Sequence, residues 1–290
     1  MSIKAEEVRE LIARSAWSPS VGPWRIVIIE DADRLTETAA NALLKTIEEP
    51  ETHTLWFLCA PTLSDVSITI RSRCRHLQLR TPSKTSVEEF LLTNTSVDSK
   101  TAAFAARVSQ GHIGRARFIA TNQEAQTRRK DVLALAFSLK DIDSCFKAAS
   151  RLLDTAQEQA ESENSERDSK QLKQLQDAYQ GTGRSLISGG SKAIKDLEKE
   201  QKSAATRSVR DNLDSALLDI ATIYRDVLVT QSGSDEILNI DLKAEVAEFA
   251  STTTPKRSIE RIEAILEARI NLGRNSAPLS TLEALFCALK

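Results

Sequence analysis

The chain has no excess of either charge: 39 Lys and Arg stand against 41 Asp and Glu, a formal net charge of -2. That balance excludes a free-standing, strongly basic nucleic-acid binder, though not a member of an assembly whose partners supply the charge. Long apolar runs are absent, so no segment reads as a membrane-spanning helix. The first residues, MSIKAEEVRELIARSAW, are charged and amphipathic and lack a secretory leader's apolar stretch. A soluble, cytoplasmic protein is expected. Cysteine is scarce: Cys59, Cys74, Cys145 and Cys287 form no C-x-x-C, and His53, His76 and His112 do not cluster with them. A disulfide framework and a zinc site are both disfavoured, and no metal or cofactor is expected. Cys59, in an apolar run, and Cys287, in an apolar helix, read as small buried hydrophobes. Aromatics make up only 4%, with nine glycines and seven prolines in 290 residues. What remains is rich in Ala, Leu, Glu, Lys, Arg and Gln, a composition that favours helix.

Four zones follow along the chain. Residues 1–80 alternate helix and strand, the order of an α/β layer. Val8, Leu11, Ile12 and Ser15 share a helical face. The β-branched run 24–30 (WRIVIIE) reads as a buried parallel strand. Thr36 is placed to cap a helix with Ala39, Ala40, Leu43, Leu44 and Ile47 on its apolar side, ended by Pro50. Residues 54–60 (TLWFLCA) read as a second buried strand and 75–79 (RHLQL) as a third. Residues 81–122 read as a small helical domain. A capping box at Ser86-Val87-Glu88-Glu89 opens one helix, through Leu92. A second runs from Ser99 to Gln110 with Gly111 just beyond its end, and a third starts at Arg115. Residues 123–205 are a charged helical excursion, broken by the Gly/Ser-rich stretch 181–192, with part of 157–192 open to disorder. Its few large apolar residues predict that about 157–203 lies at the periphery. Residues 206–290 form a helical bundle. Leu213, Leu217, Ile220, Tyr224 and Leu228 share one stripe. Ile259, Ile262, Ile265, Leu266 and Ile270 share another, and Leu282, Leu285, Phe286 and Leu289 a third.

Two motifs carry chemistry. The apolar strand 26–29 runs into Glu30 and Asp31, as the strand of a P-loop ATPase runs into the acidic residues that hold Mg²⁺ and polarise water. Such a site also needs G-x-x-x-x-G-K-[ST], whose backbone N–H groups cradle the phosphates, and no segment has that spacing. Gly181-Thr182-Gly183-Arg184-Ser185 and Gly189-Gly190-Ser191-Lys192 imitate it, but neither follows a strand; both read as a hairpin tip. The second motif is Arg71-Ser72-Arg73-Cys74-Arg75.

Taken together, Ile26–Leu35, Ala39–Pro50 (ending ALLKTIEEP), Leu55–Ala60 and Ser72-Arg73-Cys74 resemble the sliding-clamp loader ATPases of DNA replication. Within that family the sequence is most similar to the delta-prime kind found in bacteria, with middle helices like those of actinobacteria. The likeness extends over nearly the whole chain and is strongest at 24–80 and 111–118. It implies a truncated AAA+-type P-loop NTPase-like α/β domain at 1–80 and a small helical lid at 81–122. The charged excursion follows at 123–205 and a C-terminal helical collar at 206–290. Family members carry further sequence ahead of this point: the first strands, a P-loop or its remnant, and usually zinc-binding cysteines. The chain is therefore expected to begin near the middle of the ATPase-like domain, as a late start or a fragment. The edge of its sheet is expected to lie exposed unless something covers it.

The departures from the family pattern all weaken a nucleotide site. Glu30-Asp31 inverts the usual Asp-Glu, so both are expected as a degenerate Walker B. Ala60-Pro61 replaces a polar sensor residue. Gly111-His112-Ile113-Gly114 puts glycine where the lid usually offers arginine, with Arg115 one position on. The resemblance thus implies the loader's non-hydrolysing member, a subunit of the DNA-directed DNA polymerase holoenzyme (a nucleotidyltransferase complex) with no activity of its own. Arg73 would act as an arginine finger in trans on a neighbouring ATPase, with Ser72 and Cys74 shaping its loop. Its partners would be the tau/gamma and delta subunits, and, through the assembly, the sliding clamp and primed DNA. Two other readings stand beside it: an active AAA+ ATPase subunit, and a helical scaffold built on 125–230, where the apolar spacing breaks too often for a sustained heptad.

Overall fold

The computed structural model describes residues 3–17, 22–179, 190–274 and 276–290. The Gly181–Ser185 imitation of a phosphate loop lies outside them, as does Gly189, so the expected hairpin tip does too. The chain divides into two compact units, Met1–Arg80 and Thr81–Lys290.

The first unit is a small parallel sheet with helices on one side. Its elements are α1 (Ala5–Ser15), β1 (Arg25–Ile29), α2 (Glu37–Glu48), β2 (Thr54–Leu58) and α3 (Ile68–Arg71). Strands β1 and β2 pair in parallel, Ile26 opposite Leu55 and Ile28 opposite Phe57. Helix α2 is the crossover that a parallel pair requires. It starts where Thr36 accepts a hydrogen bond from the Ala39 N–H at 3.2 Å. Val8, Ile29, Ala32, Ala39, Leu43, Val66 and Ile70 form the core of this unit.

Two expectations are corrected here. The strands are not buried on both faces. Val27 and Ile29 point into the core, whereas Ile26, Ile28, Leu55 and Phe57 are exposed. The period-2 alternation of side chains sends half of each strand to the face that α1, α2 and α3 do not cover. The third strand does not form. Residues 75–79 are irregular, and Leu77 and Leu79 are 80% and 85% exposed. Strand residues need a hydrogen-bonded neighbour, and the described sheet has two strands only.

The second unit is helical. Its elements are α4 (Lys84–Asn94), α5 (Ser99–Val108), α6 (Ile113–Thr121), α7 (Gln123–Phe137), α8 (Ile142–Ala178), α9 (Gly190–Gln231), α10 (Lys243–Thr252), α11 (Pro255–Gly273) and α12 (Pro278–Leu289). Helices α4–α6 close on Val87, Leu91, Ala102, Ala105, Ala116 and Ile119. The cap of α4 is Ser83, which accepts from the Ser86 N–H at 3.1 Å, so the helix opens a turn earlier than Ser86. Helix α5 ends at Val108, and Gln110 and Gly111 leave it at positive φ, 52° and 88°. A Cβ at Gly111 would fall 2.4 Å from Thr81 Cγ2, so this turn requires glycine. Helix α6 starts at Ile113, two residues before Arg115, because His112 Nδ1 accepts from the Arg115 N–H at 3.1 Å.

The larger core joins α7–α12 around Leu133, Leu152, Leu217, Ile223, Tyr224, Ile265 and Phe286. Leu213, Leu217, Ile220 and Tyr224 are buried and Leu228 half-buried; the four residues of the final stripe, from Leu282 to Leu289, are all buried. The stripe on α11 is different. Only Ile265 is buried, while Ile259, Leu266 and Ile270 are exposed. The inward face holds Ser258, Arg261, Ile265, Ala268 and Leu272. Arg261 turns inward because its Nη2 donates to the Lys290 carbonyl at 2.8 Å and its guanidinium lies 5.0 Å from the Phe249 ring. The charged stretch is continuous with this core. Helices α8 and α9 run antiparallel, joined by Asn212 Nδ2 to the Ala156 carbonyl (3.3 Å), Asn164 Nδ2 to Ser208 Oγ (3.0 Å) and Gln201 Nε2 to the Asp168 carbonyl (3.0 Å). Small residues permit the close approach: Ala156 and Ala160 are buried, and so is Asn164. The segment from 157 is thus not wholly peripheral. Cys59 and Cys287 are exposed, against expectation; Cys59 lies one residue past the end of β2, and Cys287 is on α12 beside the buried Cys145 of α8.

Candidate functional site

Three places were singled out by residue type: the acidic end of β1, the arginine-rich turn after α3, and the start of α6. The first two lie in the first unit. Strand β1 stops at Ile29, and Glu30 and Asp31 follow it on the surface. The turn is held by main-chain bonds: the Cys59 N–H donates to the Ile29 carbonyl and the Ala32 N–H to the Cys59 carbonyl, both at 2.8 Å. Asp31 lies 3.7 Å from Arg34, an exposed pair. Ala60 is partly buried against the core.

The arginine turn is more constrained. Ser67 starts α3, and Ser72 closes it in helical geometry. Ser72 Oγ donates to the Thr69 carbonyl at 3.1 Å, and Arg73 Nη1 donates to the same carbonyl at 3.0 Å and to Ser72 Oγ at 3.4 Å. Arg73 Nε lies 3.2 Å from Glu48 Oε2, at the end of α2, and the arginine side chain keeps 34% of its exposure. Cys74 packs against the core, and burial pushes its thiol pKa up, away from reactivity. Arg71 Nη1 donates to the Leu63 carbonyl at 3.2 Å. Arg75 is exposed. Among the described residues no hydrogen bond or ion pair joins Arg73 to Glu30 or Asp31, so the two motifs are separate features of one surface domain. Glu48 was not singled out as a site residue, although it sits inside the ALLKTIEEP segment. Its role needs α2 and α3 side by side, a packing that linear spacing does not reveal.

The third place lies in the second unit. Gly114 follows the His112 cap on α6, and Arg115 reaches the carboxylate of Asp219, Nη2 to Oδ2 at 2.5 Å. Asp219 also receives Arg129 Nε at 2.9 Å, and Arg129 Nη2 donates to Asn239 Oδ1 at 2.6 Å. Asn239 in turn donates through Nδ2 to Thr222 Oγ1 and Asp226 Oδ2, at 2.9 and 2.8 Å. Arg115 is therefore part of a buried network that ties α6 and α7 to α9. Among the described residues no three His, Cys, Asp or Glu side chains gather as metal ligands would. No described helix is long and apolar enough to cross a membrane.

Known proteins align with the part of the chain that carries these motifs. Residues 1–83 match the family described as DNA polymerase III, delta subunit. The DNA polymerase III subunit delta-prime of Escherichia coli is 32% identical over 142 residues, 49% of this chain and 42% of that protein. The delta-prime subunit of Haemophilus influenzae is 35% identical over 98 residues, 34% of this chain and 30% of that one. The subunit gamma of Buchnera aphidicola from Schizaphis graminum is 35% identical over 88 residues, 30% and 24% respectively. The chain thus spans less than half the length of each of these relatives. A gamma-subunit-related protein of Thermotoga maritima superposes with a TM-score of 0.43 at 16% identity, covering 99% of this chain and 79% of that one, too loose a match to carry an argument. The sequence thus resembles the delta-prime and gamma subunits of DNA polymerase III, most of all in the part that carries the motifs.

Proposed function

We propose that the chain acts as a delta-prime subunit of the DNA polymerase III clamp loader, aiding placement of the sliding clamp on primed DNA without hydrolysing ATP. In this reading it assembles with tau/gamma and delta subunits through the helices of 206–290. Its chemical contribution is Arg73, offered in trans to the γ-phosphate held by a neighbouring ATPase subunit. The observation that carries the reading is the presentation of Arg73. It stands on an exposed turn, its side chain 34% exposed, with Nε 3.2 Å from Glu48 Oε2 and Nη1 donating to the Thr69 carbonyl, two contacts that fix the direction of the guanidinium. A guanidinium is always charged and matches phosphate oxygens with two parallel donors. An arginine supplied by a neighbour is worth roughly 10³–10⁵ in rate in the best-studied GTPases.

The departures at Glu30-Asp31, Ala60-Pro61 and Gly114 support a partner's role over an active ATPase, and the commitment of Arg115 to Asp219 supports it further. The test is clamp-stimulated ATPase in a reconstituted loader carrying Arg73→Ala, with Arg71→Ala and Arg75→Ala as controls. A sharp loss for Arg73→Ala with assembly intact, against small losses for the controls, is expected. Equal losses for all three would reduce the motif to general electrostatics, and no loss for Arg73→Ala would remove the trans role.

A further inference from the structure

A cavity of about 120 Å³ lies inside the second unit, where α6 and α7 meet the α8–α9 pair. Its charged lining is unbalanced. Arg115, Arg128 and Arg129 face it with one carboxylate, Asp219. Both oxygens of that carboxylate are already taken, Oδ1 by Arg129 Nε and Oδ2 by Arg115 Nη2. Arg128 sits nearer solvent, 3.5 Å from the exposed Glu124. Arg129 is 4% exposed, and its Nη1 is buried with no hydrogen-bond partner. Its other nitrogens are occupied, and its guanidinium lies 5.9 Å from the Phe104 ring, which leaves Nη1 without an acceptor. A buried charged donor left unmade is costly.

Size restricts what could complete it. The cavity far exceeds the roughly 10–15 Å³ that one water needs by the same kind of measure. It is well below the roughly 300–1,000 Å³ of a drug-sized ligand pocket. It has room for a group of phosphate size. Water would satisfy the N–H and leave the excess positive charge uncompensated. Thr155 and Ser215 add hydroxyls to the lining, and Gln159 an amide.

We infer that this cavity is a binding site for a small tetrahedral oxyanion, held by Arg129 Nη1 and Arg115 and reached from the side of Ser215. The inference is independent of the role given to Arg73.

The experiment uses the full chain and inorganic phosphate as the probe, with chloride at matched ionic strength as the reference. Titration calorimetry should show saturable one-to-one binding, and the melting temperature should rise with phosphate and not with chloride. Sulfate should compete, because it has the same shape and charge sign; ATP should bind no more tightly than phosphate. Ser215→Asp puts a carboxylate at an exposed lining position, and it should abolish phosphate binding while leaving the unliganded protein folded. Arg129→Lys, which keeps the charge and loses the fork, should weaken binding at least tenfold. Absence of saturable heat, tighter binding of ATP, or unchanged phosphate affinity in Ser215→Asp would each overturn the inference. If Arg129→Lys does not fold, the Ser215→Asp result decides alone.

Discussion

Arg73 Nε and Glu48 Oε2 lie 3.2 Å apart, so the last turn of α2 holds the side chain of the arginine that follows α3. The pair is partly exposed, and pairs of that kind contribute only about 0–1 kcal/mol to stability. In the role proposed for Arg73 the pair acts on aim rather than on folding. Glu48→Gln is expected to leave the melting temperature within about a degree or two of the parent, a shift below that of 1 kcal/mol in a chain of this size. In a reconstituted loader it should lower the neighbour's ATPase several-fold, less than Arg73→Ala does. Parent-level ATPase in Glu48→Gln would show that the pair does not position the finger.

The chain by itself should neither bind ATP tightly nor hydrolyse it. No G-x-x-x-x-G-K-[ST] stands in the sequence, and Arg115 is bound to Asp219. Titration with Mg²⁺–ATP should give no saturable heat in the micromolar range. One-to-one micromolar binding would sink the claim.

Asp219 holds two arginines inside the second unit, and its side chain is only 9% exposed. Asp219→Asn keeps the shape and removes the charge, leaving both guanidinium groups without their counterion. Breaking one side of a buried ion pair costs about 3–5 kcal/mol, and that is the expected loss in urea unfolding of this unit. A loss below about 1 kcal/mol would mean that the arginines are compensated by solvent.

Acid should loosen the start of α8. Asp141 caps that helix, its Oδ1 accepting from the Ser144 N–H at 2.7 Å, and this hydrogen bond holds its carboxyl below the ordinary value of 3.8. The group titrates lower in the folded chain than in the unfolded one. Its contribution is therefore present above the ordinary value and is lost as pH falls through the folded one. Asp98 at the start of α5 behaves alike, through its bond from the Thr101 N–H. Asp141→Asn keeps a capping oxygen and cannot titrate, so its stability should fall less steeply than the parent's between pH 5 and pH 2, a window taken from the usual span of carboxylate titration. Parallel acid limbs for the two proteins would rule out this cap as a source of acid sensitivity.

Local chemistry was legible where a few adjacent residues decide the outcome. Thr36 capping α2, the existence of β1 and β2, and the helical character of nearly everything after residue 81 follow from propensity and capping oxygens. The choice of Ser86 over Ser83 shows the limit of this: both are serines ahead of an amphipathic run, and the one that caps is the one whose oxygen meets a free N–H three residues on.

The sequence by itself determined the helical composition, the parallel pair with its crossover, the missing phosphate-loop spacing and the arginine motif, because each depends on residues close together in the chain. Only the tertiary structure decided which faces are buried. Ile26 and Phe57 belong to runs as apolar as any core strand, yet they lie exposed, because the helices of the first unit pack on the other side. Leu77 and Leu79 have strand-like neighbours but no partner to bond with. Arg261 shares the inward face of α11 with Ile265, while Ile259 and Ile270 stay exposed, because a carbonyl and an aromatic ring hold the guanidinium there. Asp219 joins Arg115 and Arg129 across about a hundred residues of chain, and a partnership of that range is set by packing geometry, which no local pattern encodes.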